Sequence, residues 1–157
     1  MSRLDSAIRR LQAQRACLDW AVGEIAGQGG PVLELGLGNG RTFDHLRARL
    51  PEREIFVFER EVAAHPDCIP DDDHLLLGDF HDSLPGALGR IGARAALAHC
   101  DIGSGDRALT ARLAAFVGPA LAPILAPGAV VVADQPLQIP RGRSVSLPDG
   151  VAPGRYH

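Results

Sequence analysis

Val32-Leu33-Glu34-Leu35-Gly36-Leu37-Gly38-Asn39-Gly40-Arg41-Thr42 decides the fold. A short apolar run of strand type meets a loop with glycine at every second position, and a helical segment from Thr42 to Leu50 follows. Glycine lets the backbone turn sharply and lets a ligand lie against the peptide chain where a Cβ would clash. A helix that starts after Gly40 aims its unpaired N–H groups at the same place. Three alternate glycines exceed what a tight turn needs. The spacing also discriminates between nucleotide folds. A dinucleotide fingerprint puts its third small residue at position 41, where the helix packs on the strand, and Arg41 stands there instead. An NAD-dependent dehydrogenase is therefore the disfavoured reading.

Outward from this junction, short apolar runs alternate with helical segments. Ile55–Glu59, His74–Leu77, Ala95–Cys100 and Ala129–Asp134 read as further strands. Helices are expected near Glu61–Ala64, over Asp82–Leu88 and over Asp106–Leu125, the last weakened by Gly118 and Pro119. Pro66–Asp73 reads as a polar loop whose Asp71-Asp72-Asp73 run is solvated. Before the junction, Ser2 and Asp5 look like a helix cap, and a helix from about Arg3 to Ala26 carries Leu4, Ile8, Leu11, Leu18, Val22 and Ile25 at alternating fours and threes, with Arg15 interrupting the seam. That stripe is expected to be core against a sheet, with a dimer seam as the alternative. Gly27-Gln28-Gly29-Gly30-Pro31 ends it. Strands separated by helices imply a parallel sheet with right-handed crossovers.

The pattern E-x-G-x-G-x-G from Glu34 to Gly40 resembles motif I of the class I S-adenosylmethionine-dependent methyltransferases, and further waypoints of that family follow in order. The resemblance covers roughly Pro31 to Asp134. It implies an α/β fold: a Rossmann-like, open, mainly parallel twisted sheet with helices on both faces and the N-terminal helix packed on the sheet, all within one domain spanning 1–157. It implies S-adenosylmethionine as cofactor, with Glu34 helping to hold the methionine ammonium and Gly36, Leu37, Gly38, Asn39, Gly40 and Thr42 along the methionyl part. Glu59, 19 residues beyond Gly40 with Arg60 next to it, takes the place of the acid that accepts both ribose hydroxyls. Gly78-Asp79-Phe80 falls where the family binds adenine, Asp79 toward the exocyclic amine and Phe80 against the ring; a turn with a core aromatic is the plainer alternative. Asp101 and Ile102 follow the fourth strand, at the edge where ligands of open α/β sheets collect.

A sulfonium methyl is already a strong electrophile, so the protein mainly has to align donor and acceptor and exclude water. A catalytic base is optional, and no catalytic residue is assigned. His81 and His99 lie near the edge, although His99, inside an apolar strand, reads more naturally as a hydrogen-bonded core residue. Asp101 with Asp134-Gln135 resembles the Asp…Asp-Asn metal site of catechol-type O-methyltransferases. Glutamine is one methylene longer than asparagine, however, and no metal is assigned.

Composition bounds the rest. The chain has 157 residues, 46% of them hydrophobic, a net charge of −3 and pI near 6.0, with basic and acidic residues interleaved. A polyanion partner is not expected, and Asp101-Ile-Gly-Ser-Gly stands where amino-methylating nucleic-acid enzymes carry N/D-P-P-Y/F, so no nucleic acid is expected either. No apolar run is long enough to span a membrane, and the first residues turn amphipathic at once. Cys17, Cys68 and Cys100 show no metal-like spacing, which fits a reducing cytoplasm. All 16 basic residues are arginine, which excludes Schiff-base lysine chemistry and a Walker-type phosphate loop. After Asp134 there is little room for the family's last two strands, and insertions for substrate recognition are absent. The missing insertions favour a non-catalytic S-adenosylmethionine-binding module as the rival, while the complete cofactor pocket favours an enzyme with a small-molecule methyl acceptor. The trimmed sheet predicts a homo-oligomer that covers the exposed edge through the N-terminal helix or the last 23 residues.

Overall fold

The computed structural model describes residues 1–157. Its elements in chain order are α1 (Arg3–Glu24), β1 (Val32–Leu35), α2 (Arg41–Arg49), β2 (Ile55–Glu59), β3 (Leu75–Leu77), α3 (Phe80–Ser83), α4 (Ala87–Ile91), β4 (Ala95–Cys100), α5 (Arg107–Leu121) and β5 (Leu125–Ala133). The strands form one sheet in the order β3-β2-β1-β4-β5, every neighbouring pair parallel. No helix is long and apolar enough to cross a membrane.

Ser2 starts α1 with a full capping box: its hydroxyl accepts from the Asp5 amide at 3.0 Å, and the Asp5 carboxylate accepts from the Ser2 amide at 3.0 Å. At the other end, the Arg53 guanidinium donates to the carbonyls of Gln28 and Gly30 and to that of Ile25, which also accepts from the Gln28 amide at 3.0 Å, so Arg53 ties the helix end to its turn. The buried face of α1 is Ala13, Gln14, Cys17, Leu18 and Ala21, continued by Ile25. Only the second half of the expected stripe is core. Leu4, Ile8 and Leu11 stay exposed.

One face of the sheet packs Val32, Val57, Leu97 and Val132 against α1 and α2; the other packs Leu33, Leu35, Phe56, Phe58 and Ala98 against the α3–α5 side. Both faces are covered, so the central strands are apolar apart from Glu34 in β1, Glu59 at the end of β2 and His99 in β4.

Elsewhere proline and glycine move the boundaries. The helix expected to Leu125 ends at Leu121 and tightens to a 3₁₀ turn over Ala122–Ile124. Pro123 has no N–H for the Pro119 carbonyl, which instead accepts from Ala122. Strand β5 begins earlier than expected, at Leu125, and a register shift against β4 takes up Pro127-Gly128. The expected Asp82–Leu88 helix is two short ones, divided at Pro85-Gly86. Glu61–Ala64 is not helical; a four-residue helix does not repay its nucleation, and His65 before Pro66 is held extended. Asp71 caps a 3₁₀ turn over Asp72–His74, shortening β3 by one residue at its start. Gly118 does not break α5. Its missing Cβ admits the backbone of Gln138, whose oxygen would lie 2.6 Å from such an atom.

Candidate functional site

The carboxyl ends of β3, β2, β1 and β4 lie side by side, and the expected site residues gather there. Gly36 has φ +88° and a Cβ on it would meet the Asp101 carbonyl oxygen at 2.3 Å, so only glycine fits between β1 and the end of β4. Gly40 is closed off in the same way by Cys68, 2.5 Å from where its Cβ would be. Gly38 differs: with φ +53°, it faces open space, with no heavy atom within 4 Å of the Cβ position. The loop is tightly packed at its two ends and open in the middle.

Glu59 clasps that open middle. Its Oε2 accepts from the amides of Leu37 at 2.8 Å and Gly38 at 3.2 Å, while Oε1 accepts from Arg60 at 2.7 Å and Glu61 at 3.4 Å. Leu37 turns its side chain into the core and offers only backbone to the loop. Asn39 is exposed and accepts from the Arg41 amide at 3.3 Å. Gly78, at the end of β3, donates to the Glu59 carbonyl at 3.0 Å, which brings Asp79 and Phe80 beside this acid. Asp79 is exposed and caps α3; hydrogen bonds from the His81 amide and ring hold its carboxyl below the usual range. Phe80 is half-buried with part of its ring against the core, and His81 stacks on Phe116 with centroids 4.0 Å apart.

Two expected ligands are placed differently. Glu34 is fully buried and does not reach the loop surface: its oxygens pair with the Thr42 hydroxyl and with His99 Nδ1 at 2.8 Å. A lone carboxylate inside a sheet must be partnered, and the strand beside it supplies the partner. Ile102 is likewise turned into the core, its amide donating to Asp134 Oδ1 at 3.0 Å. Asp134 also accepts from Gly103 at 2.9 Å, so this carboxylate fixes the loop after β4. Asp101 Oδ2 accepts from Arg10 at 2.7 Å and Gln14 at 3.2 Å. No three His, Cys, Asp or Glu side chains are grouped to hold a metal ion.

His99 is the hydrogen-bonded core residue that its apolar strand suggested. Burial pushes its imidazole toward neutrality, but the charge and hydrogen bond of Glu34, with Asp101 and Asp134 behind, outweigh this and raise its pKa. Burial also pushes the Cys100 thiol and the Tyr156 phenol well up, so neither ionises readily. Arg10, Gln14 and Tyr156 escaped the motif reading. Each comes from a distant part of the chain, and only Gln14, a polar residue among the apolar positions of α1, carried any local signal.

Along this edge stand Glu59, Asp79, Asp101 and Asp134, with Glu34 buried behind them, against Arg10, Arg41 and Arg60. An acidic edge beside a loop with one open glycine fits a ligand carrying a sulfonium and an ammonium. A parallel sheet of this order with a glycine-rich junction after β1 defines a Rossmann-like, nucleotide-binding α/β protein. The chain matches the S-adenosyl-L-methionine methyltransferase family over residues 1–157 and belongs to it. A crystal structure of an S-adenosyl-L-methionine methyl transferase from Silicibacter pomeroyi superposes with a TM-score of 0.92 at 46% identity, covering 99% of this chain and 96% of that one. A putative methyltransferase from Thermoplasma acidophilum is similar at 17% identity and TM-score 0.41 over 67% of this chain and 43% of that one. No curated protein matches the chain in sequence. The fold is thus the Rossmann-like methyltransferase fold, the chain is an S-adenosylmethionine-dependent methyltransferase, and S-adenosylmethionine is its cofactor. Arg41 is exposed at the start of α2, so packing alone would not have excluded a dinucleotide; family membership sets the cofactor.

Proposed function

We propose that this methyltransferase, folded as one domain over 1–157, acts on a small-molecule acceptor bound at the carboxyl ends of β4 and β5. The observation that carries this reading is the use made of residues 135–157. Gln138 crosses α5 at Gly118, Leu147 and Val151 pack with the α1/α2 core, and His157 pairs with Ala133, so the segment is spent on the sheet and forms no separate recognition module.

In this reading Gly36, Leu37, Gly38, Asn39 and Gly40 hold the methionyl part through backbone, Gly38 giving the closest approach. Thr42 and Arg60 flank it. Glu59 holds the ribose, and Gly78, Asp79 and Phe80 hold the adenine. Glu34 acts from behind, through Thr42 and its charge, and Asp101 borders the acceptor. The bound cofactor supplies an activated methyl on sulfur. The chain's own work is to align the partners and keep water out. Three free cysteines, two of them buried, fit a reducing cytoplasm. Exposed Leu4, Ile8 and Leu11 support self-association.

Incubation with methyl-labelled S-adenosylmethionine and a whole-cell extract, separated afterwards into low-mass, protein and nucleic-acid fractions, tests the acceptor class. Label is expected in a low-mass product, with stoichiometric S-adenosylhomocysteine. Label appearing only in protein or nucleic acid would overturn the small-molecule reading.

A further inference from the structure

The segment after β5 leaves the sheet and returns to it. His157 exchanges both backbone hydrogen bonds with Ala133, at 2.9 and 2.8 Å, and so pins Tyr156, the chain's single tyrosine, on the α1/α2 face. The Tyr156 ring is fully buried and lies parallel to the His99 imidazole, with centroids 6.0 Å apart and planes 5° from parallel. Its hydroxyl sits between His99 Nε2, at 3.1 Å, and the Gln14 amide.

An unbroken line of hydrogen bonds runs from there to the glycine loop. With the imidazole neutral, the Tyr156 hydroxyl donates to His99 Nε2, and His99 Nδ1–H donates to Glu34 Oε2 at 2.8 Å. Glu34 Oε1 in turn accepts from the hydroxyl of Thr42, the second residue of α2. On the other side the Gln14 amide donates to the Tyr156 oxygen and to Asp101 Oδ2, which also holds Arg10. Every polar atom in the line then has a partner of the right kind. Gln14 carries no titratable proton, so the line does not conduct protons from one side to the other. What it does is fix positions.

We infer that Tyr156 is a positioning residue of the methyl-donor site: its hydroxyl, by way of His99 and Glu34, holds Thr42 and the first turn of α2 against the glycine loop. The inference rests on the donor lying along that loop. Burial is what gives the line its force. Glu34, His99 and Tyr156 are each 0% exposed, so water cannot replace a lost partner and the side chains themselves must shift.

Calorimetric titration with S-adenosylmethionine and with S-adenosylhomocysteine tests this on Tyr156→Phe, Thr42→Val and the double variant. All are measured at a temperature where circular dichroism shows them folded. Phenylalanine keeps the ring in its packing and deletes only the hydroxyl. Tyr156→Phe and Thr42→Val are each expected to weaken binding about fivefold. Because both cut one line, the double variant is expected to bind no worse than the weaker single one. Val151→Ala, which loosens the same segment through packing, is expected to lower the melting temperature and leave affinity unchanged. A Tyr156→Phe affinity within about twofold of the unmodified protein, or losses that multiply in the double variant, would overturn the positioning role. Failure of the unmodified protein to bind either ligand would overturn the loop assignment as well, and is told apart by occurring without any substitution.

Discussion

Glu34 and His99 are register partners on the adjacent parallel strands β1 and β4, joined Oε2 to Nδ1 at 2.8 Å with neither side chain exposed. Their pairing gives stability a pH dependence of definite sign. Burial alone would depress the imidazole, but Glu34 outweighs it and the folded pKa lies above the ordinary 6.5. His99 therefore binds its proton more tightly in the folded chain. Its contribution is complete below about pH 6.5 and is lost as pH rises through the higher folded value. Urea unfolding of the unmodified protein and of His99→Gln, from about pH 5 to about pH 9, isolates this effect from that of His74, whose pKa is also raised. The stability difference between the two is expected to be largest at the acid end and to shrink above about pH 6.5. A difference that grows with pH would contradict the assignment.

The glycines of the loop should separate folding from binding. A Cβ at Gly36 would overlap the Asp101 carbonyl oxygen at 2.3 Å, backbone against backbone, with φ +88° adding strain. Gly36→Ala is expected to lower stability by more than about 3 kcal/mol and to leave little folded protein. At Gly38 the Cβ has open space, and alanine tolerates its φ of +53° at a cost of about 1 kcal/mol. Gly38→Ala is expected to melt within a few degrees of the unmodified protein yet bind S-adenosylmethionine at least about tenfold more weakly, because the methyl occupies the approach to the backbone. Thermal melts and calorimetry on the two variants check the contrast.

Glu59 offers a second separation. Its carboxylate accepts from four amides, two in the glycine loop and two at its own strand end. Glutamine keeps the shape but has one acceptor oxygen, so half of these amides lose their partner. Glu59→Gln is expected to cost about 1 kcal/mol in stability, small because water reaches the site, and at least about tenfold in S-adenosylmethionine affinity. Equal affinity in the two proteins would remove Glu59 from the donor site.

Val32–Leu35, Ile55–Glu59 and Ala95–Cys100 could be read from sequence to the residue, because a strand buried on both faces is a short, mostly apolar run with turn residues at its ends. The glycine junction was equally plain, since its conformation is local. The start of β5 was not legible: Pro127-Gly128 reads as a break, and only pairing with β4 turns it into a bulge within one strand. The same holds in the site. Motif spacing identifies Glu34 as an acid beside the loop, but not that His99, 65 residues away, stands next to it and claims an oxygen. Tyr156 lies 57 residues beyond His99 in a stretch rich in proline and glycine, with no periodicity to show that it returns to the core.

The exposed half of the α1 stripe makes a claim about assembly. Leu4, Ile8 and Leu11 are spaced by four and three and are 69%, 45% and 39% exposed, on the first turns of α1. Ser6, on the same turns, receives a hydrogen bond from Arg155 at 2.9 Å, so the row borders the returning segment without being covered by it. Such a row on an otherwise polar helix start is expected to be covered by a second copy of the chain. Burying it once from each side would remove apolar surface from water at about 25 cal/mol per Å². Sedimentation of the unmodified protein at micromolar concentration is expected to give an oligomer. Ile8→Glu, which puts a charge at the centre of the row, is expected to give the monomer with α1 still helical by circular dichroism. A protein that sediments as a monomer before any substitution would mean that the row has no partner in a second copy.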